Sequence, residues 1–156
     1  MAQFGKVCSD GKLSKIRELV SQEGDVGPIG TRGSGLQSAL ANKHFHVVEY
    51  LLSVPGVDIN YQDNFGNTAL YVACTYNERD IARGVILLLA HPGMTSLNTR
   101  NNEGQTPILG AASRGNVNCV RALAALPGVD LEVRDNMGRG LQEVARLGVS
   151  RVFVDP

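Results

Sequence analysis

The chain has 156 residues, and its 15 basic and 15 acidic side chains leave no net charge at pH 7. Non-specific affinity for DNA or RNA comes mainly from surplus cations that neutralise phosphates, so nucleic-acid binding is not expected. The longest aliphatic run, 85–90, is far shorter than a membrane-spanning helix, so no membrane association is expected. Three cysteines far apart in the sequence, without a glycosylation sequon, are typical of reduced thiols in a cytoplasmic or nuclear protein.

Helical periodicity begins near the N-terminus. Apolar residues in 4–8 predict the remains of one helix, and apolar residues in 13–20 predict a second helix after Gly11. The following segment, 30–35, is rich in glycine but lacks the Gly-Lys-Ser/Thr of a phosphate-binding loop. We interpret this segment as a flexible hairpin between helix pairs.

The sequence then repeats itself. Segment 66–74 (GNTALYVAC) is echoed by 104–112 (GQTPILGAA) and weakly by 138–145 (GRGLQEVA), and Pro-Gly recurs at 55–56, 92–93 and 127–128. The equivalent positions Ser34, Thr68, Thr106 and Gly140 are 34, 38 and 34 residues apart. Most of the excess in the middle step falls in 76–82. Self-similarity at this period indicates a stack of small modules rather than one globular core.

Segment 104–126 has the pattern of one complete module. A glycine turn precedes Thr106, which suits a helix N-cap, and Pro107, which suits the first helical position. Apolar spacing then predicts a first helix that ends at Gly115 and a second helix that ends at the Pro-Gly pair. Alternating polar and apolar residues in 129–135 predict a short hairpin arm.

These patterns resemble the ankyrin repeat. The matching residues are Asp63, Gly66, Thr68, Leu70 and Ala73 in one copy, Gly104, Thr106, Pro107, Ile108, Ala111, Ala112, Gly115, Val120 and Leu123 in another, and Val48, Leu51 and Leu52 in an earlier second helix. The resemblance implies an all-α solenoid of stacked helix-turn-helix modules with short β-hairpin loops. The single domain, 1–156, would contain complete repeats at 29–62, 63–100 and 101–134 between partial repeats at 1–28 and 135–156. Whether the chain is a whole protein or part of a longer array stays open.

One position departs from the family's pattern in every complete repeat. The His that follows the Thr by three residues is replaced by Gln37, Tyr71 and Leu109. The family usually forms a side-chain bond between this His and the Thr. We therefore expect that bond to be absent or altered.

No group of residues indicates catalysis. The sequence contains no Ser/His/Asp or Cys/His set with a suitable spacing and no paired carboxylates that face a cleft. His44 and His46 are two residues apart, and on a helix such side chains point in different directions, so they are not expected to share a metal. We predict a monomeric protein that is not an enzyme, with no catalytic, cofactor-binding or metal-binding residues and no small-molecule substrate.

The family resemblance implies that hairpin tips and the ends of the first helices line a concave binding face. The predicted partner-binding residues are Asn64, Phe65, Asn67, Tyr76, Asn102, Glu103, Gln105, Arg114, Asn136, Met137 and Arg139. Phe65 is central, because an exposed benzyl group gains burial energy only when something covers it. The alternative is that Phe65 packs on its own hairpin or on Tyr61 or Tyr71.

The resulting functional hypothesis is a non-catalytic scaffold or adaptor that binds a partner protein through this concave face. The alternative hypothesis is a regulatory or inhibitory ankyrin arm of a larger protein, which docks on an enzyme or a transcription factor. Both hypotheses use the same surface, and neither identifies the partner.

The resemblance also implies one candidate modification. Ankyrin proteins can be substrates of an asparaginyl hydroxylase that favours an Asn after Asp-x with a Leu upstream. Leu52, Asp58 and Asn60 fit this pattern, which makes Asn60 a candidate hydroxylation site. The alternative is that Asn60 is simply a hairpin residue.

Overall fold

The chain forms an all-α solenoid in a computed structural model that describes residues 2–22, 29–75 and 81–152. The α-helices within these ranges are α1 (Ala2–Ser9), α2 (Leu13–Gln22), α3 (Ile29–Ala41), α4 (Phe45–Ser53), α5 (Ala69–Thr75), α6 (Ile81–Leu89), α7 (Pro107–Ser113), α8 (Val117–Ala124) and α9 (Leu141–Val152). A 3₁₀ turn covers Ser96–Asn98. The described ranges contain no β-strand, so the loops between helix pairs are turns without a sheet. None of these helices is long and apolar enough to cross a bilayer.

The helices form two layers. The odd-numbered helices pack on each other in chain order, from α1 against α3 to α7 against α9. In the second layer α4 contacts α6 and α6 contacts α8, and each of these helices also packs on the first helix of its own pair. The predicted single-file stack of helix pairs is therefore confirmed.

One continuous ribbon of apolar side chains holds the two layers together. Equivalent positions contribute the same kind of residue in successive pairs. At these equivalent positions, the fully buried side chains include Leu36, Leu70 and Ile108 in the first layer and Leu51, Leu88 and Leu123 in the second layer. Because these side chains pack between neighbouring helix pairs, most of the free energy gained by burial depends on contacts between adjacent modules.

The structure corrects the interpretation of 30–35 as a flexible hairpin. These residues belong to α3, which begins at Ile29. A Cβ atom on Gly35 would lie 2.7 Å from Cε1 of Phe4 and 3.0 Å from Sγ of Cys8. Gly35 therefore permits close approach of α1 to α3, and it does not form a turn.

Gly110 has the same function between α5 and α7. A Cβ atom there would lie 2.5 Å from the Tyr71 ring and 2.8 Å from Cγ2 of Thr75. The ring cannot move away freely, because Tyr71 donates a hydrogen bond of 2.7 Å from its hydroxyl to Oε1 of Gln105. A side chain at position 110 would therefore force the two modules apart.

The threonines that precede the first helices differ in their hydrogen bonding. Oγ1 of Thr68 accepts a 3.2 Å hydrogen bond from the Tyr71 N–H and so caps α5. Thr106 is the N-cap of α7, but its buried Oγ1 has no hydrogen-bond partner among the described residues. Leu109, which occupies the position of the family's His, is fully buried and cannot bond the hydroxyl. The expected loss of the Thr–His bond thus leaves one hydroxyl unsatisfied.

We expect Gly110→Ala to lower the free energy of unfolding by about 1–3 kcal/mol, because overpacking outweighs the gain in helix propensity. Gly5→Ala is the control, since its Cβ would meet only Oγ of Ser38 at 3.9 Å. This variant should be unchanged or more stable by up to about 1 kcal/mol. Urea unfolding followed by circular dichroism measures both, and equal stability of the two variants would contradict the close-approach argument.

The two threonines provide a second matched comparison. Thr68→Val removes a cap hydrogen bond and should cost about 1 kcal/mol of stability. Thr106→Val removes an unpaired buried hydroxyl, so it should be neutral or stabilising by about 1 kcal/mol. Denaturant unfolding of both variants measures the difference, and a larger loss for Thr106→Val than for Thr68→Val would refute it.

Candidate protein-binding surface

Three loops between helix pairs share one internal framework. The side chains of Asp63, Asn101 and Asp135 each accept hydrogen bonds of 2.8–3.0 Å from the backbone N–H groups two and four residues later. A backbone bond of 2.9–3.0 Å, such as that from Asp63 N–H to the Asn67 carbonyl, closes each loop. A positive φ of 75° at Gly66 and at Gly104 allows the turn. This framework fixes the direction of the residue at each loop tip.

Backbone and side-chain hydrogen bonds also join each loop to the next. The Asn102 N–H donates to the Phe65 carbonyl at 2.9 Å, and the Asn136 N–H donates to the Glu103 carbonyl at 3.0 Å. The amide groups of Asn102 and Asn136 donate in parallel to the carbonyls of Asn64 and Asn102, at 3.0 and 2.9 Å. The loop tips therefore form a fixed row, named here the tip row, which consists of Phe65, Glu103 and Met137.

The tip row presents an apolar, an acidic and an apolar side chain in succession. Phe65 is 72% exposed and Met137 is 76% exposed, so the Phe65 ring is not buried on its own hairpin. Arg114 lies at the C-cap of α7 and is also exposed. Within the described part of the chain, neither Glu103 nor Arg114 has an ion-pair partner. Two apolar groups and two unpaired charges are thus available to a partner.

A polar cleft of about 310 Å³ lies beside the middle of the tip row. Its lining includes Glu103, Ser113, Arg114 and Arg139, with Val144 and Leu147 of α9 on one side. The cleft connects the loops to the first-helix layer. The described residues contain no group of three or more His, Cys, Asp or Glu side chains that could hold a metal ion.

Most of the other predicted binding residues hold the framework. Gln105 is 7% exposed and accepts the Tyr71 hydroxyl, while Oδ1 of Asn67 accepts a 3.0 Å bond from the Asn101 amide. Gln37 donates to the carbonyls of Tyr61 and Asn67. Gln37 and Tyr71, which both replace the family's His, therefore form hydrogen bonds with the following loop. Tyr76 lies outside the described residues. Binding by any residue of the predicted set stays a prediction.

Asp135 forms a close ion pair with Arg139 within its loop. Its side chain is 1% exposed and pairs with Arg139, whose Nε and Nη2 lie 2.8 and 2.7 Å from Oδ2. Burial alone would raise the pKa of Asp135. The hydrogen bonds from Arg139 and Met137 and the charge of Arg139 outweigh burial and lower this pKa below its ordinary value.

Asn60 has a structural role at the opposite end of its loop. Its amide donates to the Gly93 carbonyl at 2.7 Å, and its Oδ1 accepts from the N–H groups of Thr95 and Ser96 at 3.0 Å. Asn98 makes the equivalent bonds to Gly128 and Asp130 at 2.6 and 2.8 Å. The recurrence of Asn at these two equivalent positions was a sequence signal for this role. Hydroxylation of Asn60 stays a prediction.

The sequence argument about the two histidines assumed that both lie on a helix. His44 precedes α4 instead of lying within it, so the helical argument for divergent side chains does not apply. The ring centroids are 5.9 Å apart, and the Nε2 atoms lie 2.9 and 3.0 Å from the carbonyl oxygens of Ser9 and Gly11. Both rings therefore hold the turn between α1 and α2.

Comparison with known proteins gives several relatives. Over 145 residues the chain is 26% identical to the probable 26S proteasome regulatory subunit p28 of Saccharomyces cerevisiae. This match covers 91% of this chain and 61% of the relative. It is 32% identical over 120 residues to the probable E3 ubiquitin-protein ligase XBOS32 of Oryza sativa subsp. japonica, covering 74% of this chain and 23% of the relative. It is 35% identical over 113 residues to the human SMC5-SMC6 complex localization factor protein 1, and the match covers 70% of this chain and 10% of the relative.

The chain thus spans 61% or less of the length of each of these relatives. The family model for ankyrin repeats (3 copies) matches residues 5–87 and 36–135, which together include most of the chain. The matched segments contain the helix pairs and two of the loops that form the tip row. The chain belongs to the ankyrin repeat family.

Proposed function

We propose that the chain is a non-catalytic scaffold or adaptor that binds a partner protein through the tip row and the adjacent ends of the first helices. Ankyrin repeats are generally protein-interaction modules. The observation that carries the proposal is the exposure of Phe65 and Met137, at 72% and 76%, on loops held by hydrogen bonds. A cytoplasmic or nuclear location and a monomeric state remain predictions.

The pattern of the tip row indicates the kind of segment that would fit. Phe65 and Met137 offer apolar contact on either side of the Glu103 carboxylate. A segment with a basic side chain between two apolar side chains would complement this order, and an acidic group next to it would meet Arg114. Because the loops are already ordered, little conformational entropy would be lost at the protein's side of the interface.

The alternative proposal is a regulatory or inhibitory arm that docks on an enzyme or a transcription factor. The observation in its favour is that the relatives are longer than the chain, which covers 61%, 23% and 10% of their lengths. In this case the tip row would bind a partner domain instead of a free segment. A complete gene sequence that adds an enzyme or DNA-binding domain would favour the alternative.

The binding proposal can be tested with Phe65→Ala combined with Arg114→Ala. A tagged chain first captures partners, and the affinity of a purified partner is then measured by calorimetry. We expect the double variant to weaken binding at least tenfold, because exposed aromatic and arginine side chains contribute about 1–3 kcal/mol each at interfaces. Its melting temperature should fall by no more than a few degrees, since both side chains are exposed.

The matched control is Ile86→Ala combined with Arg121→Ala on the second-helix layer. Ile86 is 62% exposed and Arg121 is also exposed, so the control removes similar groups from another surface. It should bind the partner as the unmodified chain does. Equal affinity of the Phe65 variant, or weakening only by the control, would place the binding site elsewhere.

The Asp135–Arg139 pair also gives a pH-dependent prediction for the loop that presents Met137. Since the folded-state pKa of Asp135 is lowered, its stabilisation is present above the ordinary Asp pKa and is lost as the pH falls through the folded pKa. Asp135→Asn keeps an acceptor oxygen, as Asn101 does naturally, but loses the ion pair. We expect a loss of about 1–2 kcal/mol at neutral pH that disappears in acid.

Urea unfolding at a series of pH values from neutral to acid measures this effect. Asp130→Asn is the control, because Asp130 is exposed and its side-chain oxygen accepts a local N–H bond from Glu132. The control should change stability little at any pH. A destabilisation by Asp135→Asn that stays constant into acid would show that the ion pair is not its cause.

A further inference from the structure

Two cysteines from neighbouring helix pairs meet in the core. Cys74 lies in α5 and Cys119 lies in α8, and their sulfur atoms are 2.8 Å apart. Cys74 is fully buried and Cys119 is 1% exposed. Because the sequence places them 45 residues apart, it predicted only separate structural thiols. The fold makes them direct neighbours.

Asn116 fixes the geometry of this pair from the backbone side. Its side-chain amide donates to the Cys74 carbonyl at 2.9 Å, while its Oδ1 accepts from the Cys119 N–H at 3.1 Å. Asn116 is itself 4% exposed. One buried side chain therefore holds the backbone of both cysteines, and the sulfur atoms are about 0.8 Å farther apart than in a disulfide of about 2.05 Å.

We propose that Cys74 and Cys119 are an oxidation site that forms a disulfide within the chain when a peroxide is supplied. One thiol loses its proton, and its sulfur attacks a peroxide oxygen to give a sulfenic acid and water. The sulfur of the second thiol then displaces the sulfenic oxygen, which leaves as a second water. Two thiols lose two electrons and two protons, and one hydrogen peroxide is reduced to two waters.

Burial affects the rate of this oxidation. Burial raises the pKa of the Cys74 thiol, and the hydrogen bond and electrostatic interaction with Cys119 raise it further. Since the thiolate is the reactive form, the disulfide should form slowly at neutral pH and faster at higher pH. The pair would therefore respond to sustained oxidant instead of brief exposure.

The third cysteine provides an internal reference. Cys8 lies in α1 and is buried, and burial raises its pKa to about 12. It packs beside Gly35 at the other end of the stack from Cys119. A specific reaction of the pair should leave Cys8 as a free thiol.

The disulfide would join two modules whose contacts are otherwise non-covalent. The helix pair α5–α6 follows the Phe65 loop, and the pair α7–α8 follows the Glu103 loop. In a stack where neighbours are held only by adjacent contacts, such a link makes two modules unfold together. The inference does not depend on the proposed binding function.

The test oxidises the folded chain of 156 residues with hydrogen peroxide, then unfolds it in urea with an alkylating reagent before tryptic digestion. Tryptic peptides 44–79 and 115–121 contain Cys74 and Cys119, and peptide 7–12 contains Cys8. We expect the first two peptides to be linked, with the mass of two hydrogen atoms lost, and Cys8 to be alkylated. Dithiothreitol should restore all three thiols, and the oxidised chain should melt at a higher temperature than the reduced chain.

Two variants control for packing. Cys74→Ala introduces the residue found at the equivalent buried position Ala112, and Cys119→Val introduces the residue found at Val47. Neither variant should form the link or gain thermal stability on oxidation. The proposal is overturned if the oxidised unmodified chain keeps three alkylatable thiols, links through Cys8, or is oxidised to sulfinic acid without a link.

Discussion

Backbone amides in the loops must find hydrogen-bond partners without a β-sheet, and side chains of Asp and Asn provide them. In the three described tip loops, a single carboxylate or amide oxygen accepts two N–H groups, as Asp63 does for Phe65 and Asn67. Further amides, such as those of Asn102 and Asn136, bond the preceding loop. Because each bond ties one loop position to another, these side chains determine the loop conformation and the spacing between modules.

This constraint explains why many polar residues in the loops are structural. Asn67 and Gln105 were expected to contact a partner because the ankyrin resemblance implies that hairpin tips line the binding face. The structure places Gln105 under the Tyr71 hydroxyl and uses Asn67 to bond the next loop. Residue type did not distinguish an amide that faces solvent from one that completes a turn. The large side chains at the tips, Phe65 and Met137, cannot form the hydrogen bonds that hold the loops, and they remain exposed.

Periodicity predicted the helix pairs well because apolar spacing and Pro-Gly stops act locally. The errors arose where one residue type serves two purposes. Glycine permits both a positive φ, as at Gly104, and a close helix contact, as at Gly35, and the sequence alone does not separate these uses. The meeting of Cys74 with Cys119 depends on how two modules align in space, which no local pattern encodes. The unsatisfied hydroxyl of Thr106, in contrast, followed directly from Leu109 three residues later.

Among the described residues, the hydrogen bonds between loops run from each loop to its immediate neighbour. Phe65 and Met137 are consequently positioned relative to each other through the intervening loop, and no direct bond sets their separation. The affinity of a ligand that contacts both ends therefore depends on the positions of all three loops in the tip row. Displacement of the central module would thus change the separation of Phe65 and Met137 and weaken such a ligand, even where every contacting side chain is intact.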